Sequence, residues 1–221
     1  FFVPWLNEAV KLLEEGIGTV EIIDSVCMKT FGIGMGPFAL MNATGVPIAL
    51  HAQHTLEFFG PSYKVATLLE RQVEKKENWK IGEANISDAN SETEKKISER
   101  MLGCVFFICS QILEEKICTA MDLNKGAKIG LRWRKGPVDL MKHFGDAEMK
   151  RLVENYAQHY GEKIPLVSSA KWNMEYVTLE IRNDRAIITM NRPEELNALN
   201  EEVVKQLDEK FTLAENDQSV R

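Results

Sequence analysis

Few residues in this chain have types and spacing that could do chemistry. They are three glycines at alternate positions, Gly32, Gly34 and Gly36, leading into Pro37; the pair His51 and His54; and four cysteines, Cys27, Cys104, Cys109 and Cys118. Alternate glycines can bring backbone N–H groups close to a phosphate, two histidines three apart can share a helix face as metal ligands, and a thiol can act as a nucleophile. Each signal is weak here. No strand precedes the glycines, as a dinucleotide fingerprint requires, so a loop between helices is the plainer reading. No third ligand or catalytic carboxylate has a reason to join the histidines, which read as solvated or hydrogen-bonded side chains. The cysteines sit in apolar runs without CxxC spacing, the pattern of buried free thiols in a reducing cytosol. No catalytic residue and no metal ligand is assigned.

The stretch that holds the glycines is written twice. Residues 12–45 (LLEEGIGTVEIIDSVCMKTFGIGMGPFALMNATG) align without a gap on residues 112–145 (ILEEKICTAMDLNKGAKIGLRWRKGPVDLMKHFG). Leu13, Glu14, Glu15, Ile17 and Thr19 match Leu113, Glu114, Glu115, Ile117 and Thr119. Gly36-Pro37, Leu40-Met41 and Gly45 match Gly136-Pro137, Leu140-Met141 and Gly145. A shared register over that length points to a duplicated helical domain. Among the positions where the copies differ, Arg132, Arg134 and Lys135 stand where the first has Gly32, Gly34 and Met35.

Hydrophobic periodicity gives the helices. Phe2, Trp5, Leu6, Ala9, Leu12 and Leu13 recur at helical steps, with Glu8, Lys11 and Glu15 on the other side, until Gly16 and Gly18 stop the run. Thr19 is an N-cap for a second helix to about Lys29, and Thr119 with Asp122 has the capping-box pattern. Pro37 opens a third helix that Gly45 ends. Further helices are expected from Pro47 to Phe59, from Lys64 to Lys76 and from His143 to Tyr160. Residues 83–99 (EANISDANSETEKKISE) lose periodicity and read as a linker. After a second connecting stretch the period changes to two. Residues 176–181 and 186–190 form a hairpin, followed by a helix capped by Asn200 that sets Val204, Leu207, Phe211 and Ala214 on one face.

The net charge of −6 and pI near 5.4 argue against a nucleic-acid partner. The most apolar run, residues 103–113, is about half of the ~20 residues a membrane-spanning helix needs. No basic, apolar leader opens the chain, and Phe1-Phe2 begins inside a helical pattern without an initiator Met, which reads as a piece of a longer protein.

The segments FFVPWLNEAVKLLEEG and GMGPFALMNATG resemble the C-terminal helical domain of 3-hydroxyacyl-CoA dehydrogenases, with Pro4, Trp5, Gly16, Gly36, Pro37 and Phe38 in the matching places. The second copy is similar to the degenerate repeat of the multifunctional forms. The tail YVTLEIRNDRAIITMNRPEELNALNEEVVKQLDEKF is similar to the opening of enoyl-CoA hydratases of the crotonase family, through Asn191-Arg192-Pro193 and Asn197-Ala198-Leu199.

These resemblances imply a mainly α fold. Two tandem helical domains of the 3-hydroxyacyl-CoA dehydrogenase C-terminal type, also described as 6-phosphogluconate dehydrogenase C-terminal-like, span 1–82 and 99–168. A linker covers 83–98, and 169–221 is a β-hairpin plus helix from an incomplete crotonase α/β domain. They imply the middle of a bifunctional β-oxidation-type enzyme that uses NAD, bound by a domain upstream, and CoA thioesters. This chain, lacking the catalytic groups of both activities, would be inactive alone. Gly36, Pro37 and Phe38 either line the floor of the substrate cleft or only pack helices. Leu196, Asn197 and Ala198 are the expected CoA-facing residues. The two repeats are expected to pair within the chain, homodimerisation is open to it, and the compartment implied is the cytoplasm. A helical docking module without catalysis of its own is the reading from another class.

Overall fold

The computed structural model describes residues 1–82, 91–166, 172 and 174–220. Nine α-helices and one two-stranded antiparallel sheet are found among the described residues. In the first part of the chain α1 (Phe2–Glu14), α2 (Val20–Phe31), α3 (Pro37–Thr44), α4 (Val46–His54) and α5 (Thr67–Lys75) follow one another. The second part has α6 (Ser91–Glu114), α7 (Ala120–Gly130) and α8 (Pro137–Tyr160). The hairpin β1 (Val177–Arg182) and β2 (Arg185–Met190) and the helix α9 (Glu201–Asn216) close the chain.

Equivalent ends recur one hundred residues apart. Helix α1 is closed by bonds from Gly16 N–H to Leu13 O (3.1 Å) and from Ile17 N–H to Leu12 O (3.0 Å), and α6 by Lys116 N–H to Leu113 O (3.3 Å) and Ile117 N–H to Ile112 O (3.0 Å). Both turns need a left-handed residue, Gly16 at φ 70° and Lys116 at φ 56°. The Oγ1 of Thr19 accepts from Ile22 N–H (3.4 Å) and that of Thr119 from Asp122 N–H (3.1 Å), so α2 and α7 begin alike. Glycines Gly36 and Gly136 are N-caps with nearly the same extended backbone, φ −75° and −72°, each followed by proline at the first helical position.

A side chain from the preceding helix reaches across to finish each of these caps. The two carboxylate oxygens of Asp24 accept from the N–H groups of Phe38 (2.8 Å) and Ala39 (3.0 Å), and Asn124 Oδ1 accepts from Asp139 N–H (3.2 Å). The approach is so close that glycine is obligatory. A Cβ on Gly36 would lie 2.3 Å from Asp24 Cγ, and one on Gly136 would lie 1.9 Å from Asn124 Oδ1. Burial pushes the Asp24 carboxyl up to about 6, against the pull of the two backbone donors.

Helix α6 runs through the centre. All ten residues from 101 to 110 are buried, so it presents no polar face there and is covered by α1, α2 and α8. Its Gly103 would set a Cβ 3.0 Å from Leu152 O, which lets α6 and α8 approach closely. Trp133, from the loop between α7 and α8, enters an aromatic cluster with Phe1 (5.4 Å between centroids), Trp5 (5.7 Å) and Phe31 (5.1 Å). The first and second sets of helices therefore share one core.

Several expectations shift. The expected linker 83–98 is helical from Ser91, because Glu92–Lys96 (2.7 Å) and Lys95–Glu99 (4.0 Å) pair along the helix and Ile97 is buried; residues 83–90 lie outside the described residues. The helix expected to reach Phe59 ends at His54. Two 3-10 turns, Glu57–Phe59 and Pro61–Tyr63, follow on either side of Gly60, whose φ of 149° cannot continue a helix. The next helix starts at Thr67 rather than Lys64 because the backbone is still extended at Lys64 (ψ 138°) and Ala66 (ψ 129°). The closing helix does not start at His143: Gly145, at φ 75°, breaks α8 in two, where Gly45 separates α3 from α4.

The hairpin turns through Asn183 and Asp184, both left-handed (φ 49° and 62°), a type I′ geometry that matches strand twist. Asn200 Oδ1 caps α9 from Val203 N–H (2.9 Å), and Gln206 pins the helix to the hairpin by accepting from Tyr176 and Val177 N–H (2.8 and 3.1 Å). On α9 Val203 and Ala214 are buried and Leu207 is half-buried, so Leu207 and Ala214 face inward as expected, whereas Val204 and Phe211 are outside. A two-stranded ribbon is narrow, and it covers only the residues directly beneath it.

Gly36→Ala is expected to cost more than about 2 kcal/mol, and Asp24→Ala about 1–2 kcal/mol through the lost cap, whereas Asp24→Asn, the residue of the second copy, stays within about 1 kcal/mol at pH 7. Because the folded Asp24 carboxyl titrates near 6 and a free one near 3.8, the native state keeps its proton longer. Its contribution to stability therefore falls as pH rises from about 4 to about 6. Denaturant titrations across that window check the slope, which Asp24→Asn should remove.

Candidate functional site

The glycine loop is not an open cradle. Gly36, Pro37 and Phe38 are all buried, with Phe38 edge-on to Trp79 at 5.0 Å and its N–H held by Asp24. Trp79 is fixed in turn by Asn42, which accepts from its N–H (2.8 Å) and donates to its carbonyl (2.9 Å). Within this chain the three residues pack helices, one of the two roles expected for them. Of the alternate glycines, Gly36 is required by the Asp24 cap and Gly32, at φ 63°, closes α2.

The histidines also separate. His54 Nδ1 lies 3.0 Å from Glu57 Oε2 and Nε2 lies 3.8 Å from Glu70, while His51 is exposed on the other turn. Among the described residues no group of three His, Cys, Asp or Glu side chains could hold a metal ion. The four thiols are free, and burial pushes each of them up, Cys109 to about 12, so none is a ready thiolate.

In the tail, Leu196, Asn197 and Ala198 lie together on an exposed loop. Arg192 N–H donates to Asn197 Oδ1 (2.8 Å), Asn197 N–H donates back to Arg192 O (2.9 Å), and Arg192 Nη1 reaches Ala198 O (3.1 Å). These bonds hold Leu196 and Asn197 in consecutive left-handed conformations, at φ 53° and 56°. Leu196 adopts this conformation at a cost of roughly 1–2 kcal/mol, whereas asparagine tolerates it. The result is a rigid loop that turns the Leu196 side chain, 93% exposed, to solvent.

A buried constellation of ionisable groups joins α1, α6 and α8 without any sequence motif. Glu8 and Lys11, assigned to the solvated side of α1, are buried because α6 and α8 cover that side. The Glu8 carboxylate accepts from Arg100 Nε, from the Tyr160 hydroxyl (2.7 Å to Oε1) and from the Tyr156 hydroxyl (3.1 Å to Oε2). Arg100 Nη2 also donates to Glu15 (2.9 Å) and to the Tyr160 oxygen (2.9 Å). Lys11 Nζ sits 4.4 Å over the Tyr160 ring and donates to Ser62 O (2.8 Å).

Burial alone lowers Arg100, but Glu8, Tyr160 and Glu15 outweigh it and hold the guanidinium charged. Burial, opposed by Glu8, lowers Lys11. Both phenols are raised, first by burial and further by neighbours including Glu8, and remain donors. A cavity of about 220 Å³ opens beside the cluster, lined by Ile17, Arg100, Leu152, Asn155, Tyr156 and His159. With Arg100 and two hydroxyls on its oxygens, Glu8 has no free base function to offer a substrate. The arrangement is a clasp between α1, α6 and α8, and its only sequence signal was that Glu8 lies three residues from Trp5 and four from Leu12, on the apolar stripe.

Residues 1–87 match the family model of the 3-hydroxyacyl-CoA dehydrogenase C-terminal domain. The chain is similar to the fatty acid oxidation complex subunit alpha of Shewanella amazonensis, 25% identical over 187 residues. That match covers 72% of this chain and 26% of the relative, so the chain spans about a quarter of the length of the curated relative. The fold is similar to that of 3-hydroxybutyryl-CoA dehydrogenase from Escherichia coli K12, with a TM-score of 0.61 and 15% identity over 76% of this chain and 57% of that one. No helix among the described residues is long and apolar enough to cross a membrane.

Glu8→Gln and Arg100→Gln should each cost about 3–5 kcal/mol, because each leaves a buried polar or charged partner without its counterpart, and should lower Tm by about 10 °C. Calorimetry measures this directly. Losses below about 1 kcal/mol would mean that water replaces the missing partner and that the clasp is not dry.

Proposed function

We propose that this chain is the central part of a bifunctional β-oxidation-type enzyme that oxidises (S)-3-hydroxyacyl-CoA to 3-oxoacyl-CoA and hydrates enoyl-CoA. In this reading residues 1–82 are the substrate-side helical domain of the dehydrogenase, and 99–168 are a second copy of it. Residues 169–221 are the start of an enoyl-CoA hydratase domain. The observation that carries it is the family match over residues 1–87. The duplication is supported by the recurring caps, Asp24 over Gly36 and Asn124 over Gly136.

The chain's own contribution is architectural. Helices α1 to α5 present a surface to an NAD-binding domain upstream, with Asp24, Gly36 and Phe38 fixing its depth from below. NAD, when bound by that domain, supplies the hydride acceptor; no residue of this chain is assigned to it. The second copy packs on the first through the Glu8–Arg100 clasp and Trp133, and so takes the place a second subunit would have. Tethering lowers the cost of that association. The rigid Leu196–Asn197–Ala198 loop is suited to lie along the CoA arm of a thioester, since its apolar side chain is already exposed and pre-organised. Cytoplasmic location follows from the same reading.

The purified 221-residue chain is expected to reduce no NAD with (S)-3-hydroxybutyryl-CoA and to hydrate no crotonyl-CoA, whereas the parent polypeptide, extended in both directions, does both. Leu196→Ala in the parent should raise KM for crotonyl-CoA and leave dehydrogenase turnover unchanged. Turnover by the isolated chain, or a parent that carries out neither reaction, would refute the assignment.

A further inference from the structure

We infer that the groove between the α7–α8 loop, the first turn of α8 and the tail loop at Arg192 is a binding site for the phosphate groups of a small anionic ligand. The groove encloses about 530 Å³, enough for a nucleotide-sized moiety, and Lys128, Arg134, Lys135, Lys142, His143 and Arg192 are among its lining residues. Its carboxylates are mostly engaged. Glu195 pairs with Lys128 (2.5 Å) and Asp139 accepts from Gly136 N–H (3.1 Å); with Glu194 these three carboxylates stand against five Lys or Arg in the lining. Arg134, Lys135 and Lys142 are exposed and have no ion pair or hydrogen bond among the described residues. Unpaired cations facing a concavity, in a chain of net charge −6, make a local positive field that attracts a compact anion.

The fold itself does not require these cations. Residues 124–143 hold six Lys or Arg against one carboxylate, whereas residues 24–43, which build the same helix, loop and capped helix, hold one of each. Met28, Gly32, Gly34, Met35 and Asn42 occupy the places of Lys128, Arg132, Arg134, Lys135 and Lys142. Because one scaffold forms equally well with neutral residues, the charge in the other is explained by what it faces. Guanidinium and ammonium groups converging on a cavity suit phosphate oxygens, the Arg by paired N–H donors and the Lys as point charges.

The phosphates could be those of a coenzyme A tail or of a free nucleotide, and the inference stands on the groove whether or not the chain binds acyl-CoA. The test is titration calorimetry of the chain with pyrophosphate, adenosine 3′,5′-bisphosphate, coenzyme A and adenosine at low and moderate salt. The phosphate carriers should bind, more weakly as salt rises, and adenosine should not. Lys135→Glu combined with Lys142→Glu should weaken binding at least about ten-fold, as should the milder pair Lys135→Gln with Lys142→Gln. Lys150→Glu, farther along α8, should change nothing. Tighter binding of the bisphosphate than of coenzyme A would assign the groove to a free nucleotide, and the reverse to a coenzyme A tail; both keep the phosphate site. Absence of binding by every phosphate carrier at about 1 mM, or equal binding by the charge-reversed chain, would overturn the inference. So would coenzyme A binding with no response to pyrophosphate or the bisphosphate, since the pantetheine arm would then carry it.

Discussion

A carboxylate buried away from water must be met by donors, and the packing of this molecule follows from how Glu8 meets that condition. Its donors come from two other helices: Arg100 from α6 and the hydroxyls of Tyr156 and Tyr160 from α8. Those helices must therefore stand at fixed depth and rotation against α1. Once they do, residues 101–110 of α6 are enclosed on every side, Trp133 reaches the Trp5 and Phe31 rings, and Ser62 accepts Lys11 while donating to Glu162. Geometry set by one polar centre aligns a much larger apolar one. Hydrophobic burial supplies most of the stability, and the clasp selects which arrangement of helices receives it.

The second constraint is local and occurs twice. A helix N-terminus leaves N–H groups without partners, and here a side chain from the helix before supplies the acceptors, Asp24 in one case and Asn124 in the other. The acceptor comes so near the capping residue that only glycine fits, which ties Gly36 to Asp24 and Gly136 to Asn124 as pairs. Gly36, the last of three alternate glycines, is thus one half of a packing joint. The other half lies twelve residues earlier and carries no motif of its own.

How much could be read in advance depended on whether the cause was local. Helix starts at Thr19, Thr119, Pro37 and Asn200, and the turn at Asn183-Asp184, depend on residues within a few positions and were legible. The early start of α6 was hidden because Ser, Asn and charge in residues 83–99 outweighed the single buried Ile97. The inward face of α9 was legible at Leu207 and Ala214 but not at Val204 and Phe211, since periodicity says that a stripe exists but not which part of it a narrow hairpin will cover. Glu8 escaped for a related reason. A glutamate beside apolar neighbours looks solvated until a guanidinium about ninety residues away is brought over it. The exposed Leu196 loop was marked by a short motif, but its rigidity comes from the Arg192 and Asn197 bonds, visible only in three dimensions.

If one clasp joins both sets of helices into a single core, they should open together. Native-state hydrogen exchange of the intact chain measures this directly, by comparing the slowest amides of α1 with those of α6 and α8 across a range of denaturant. A common opening free energy with the same denaturant dependence in all three helices is the predicted result. Opening of α6 and α8 at markedly lower free energy, with α1 to α5 still protected, would contradict the account.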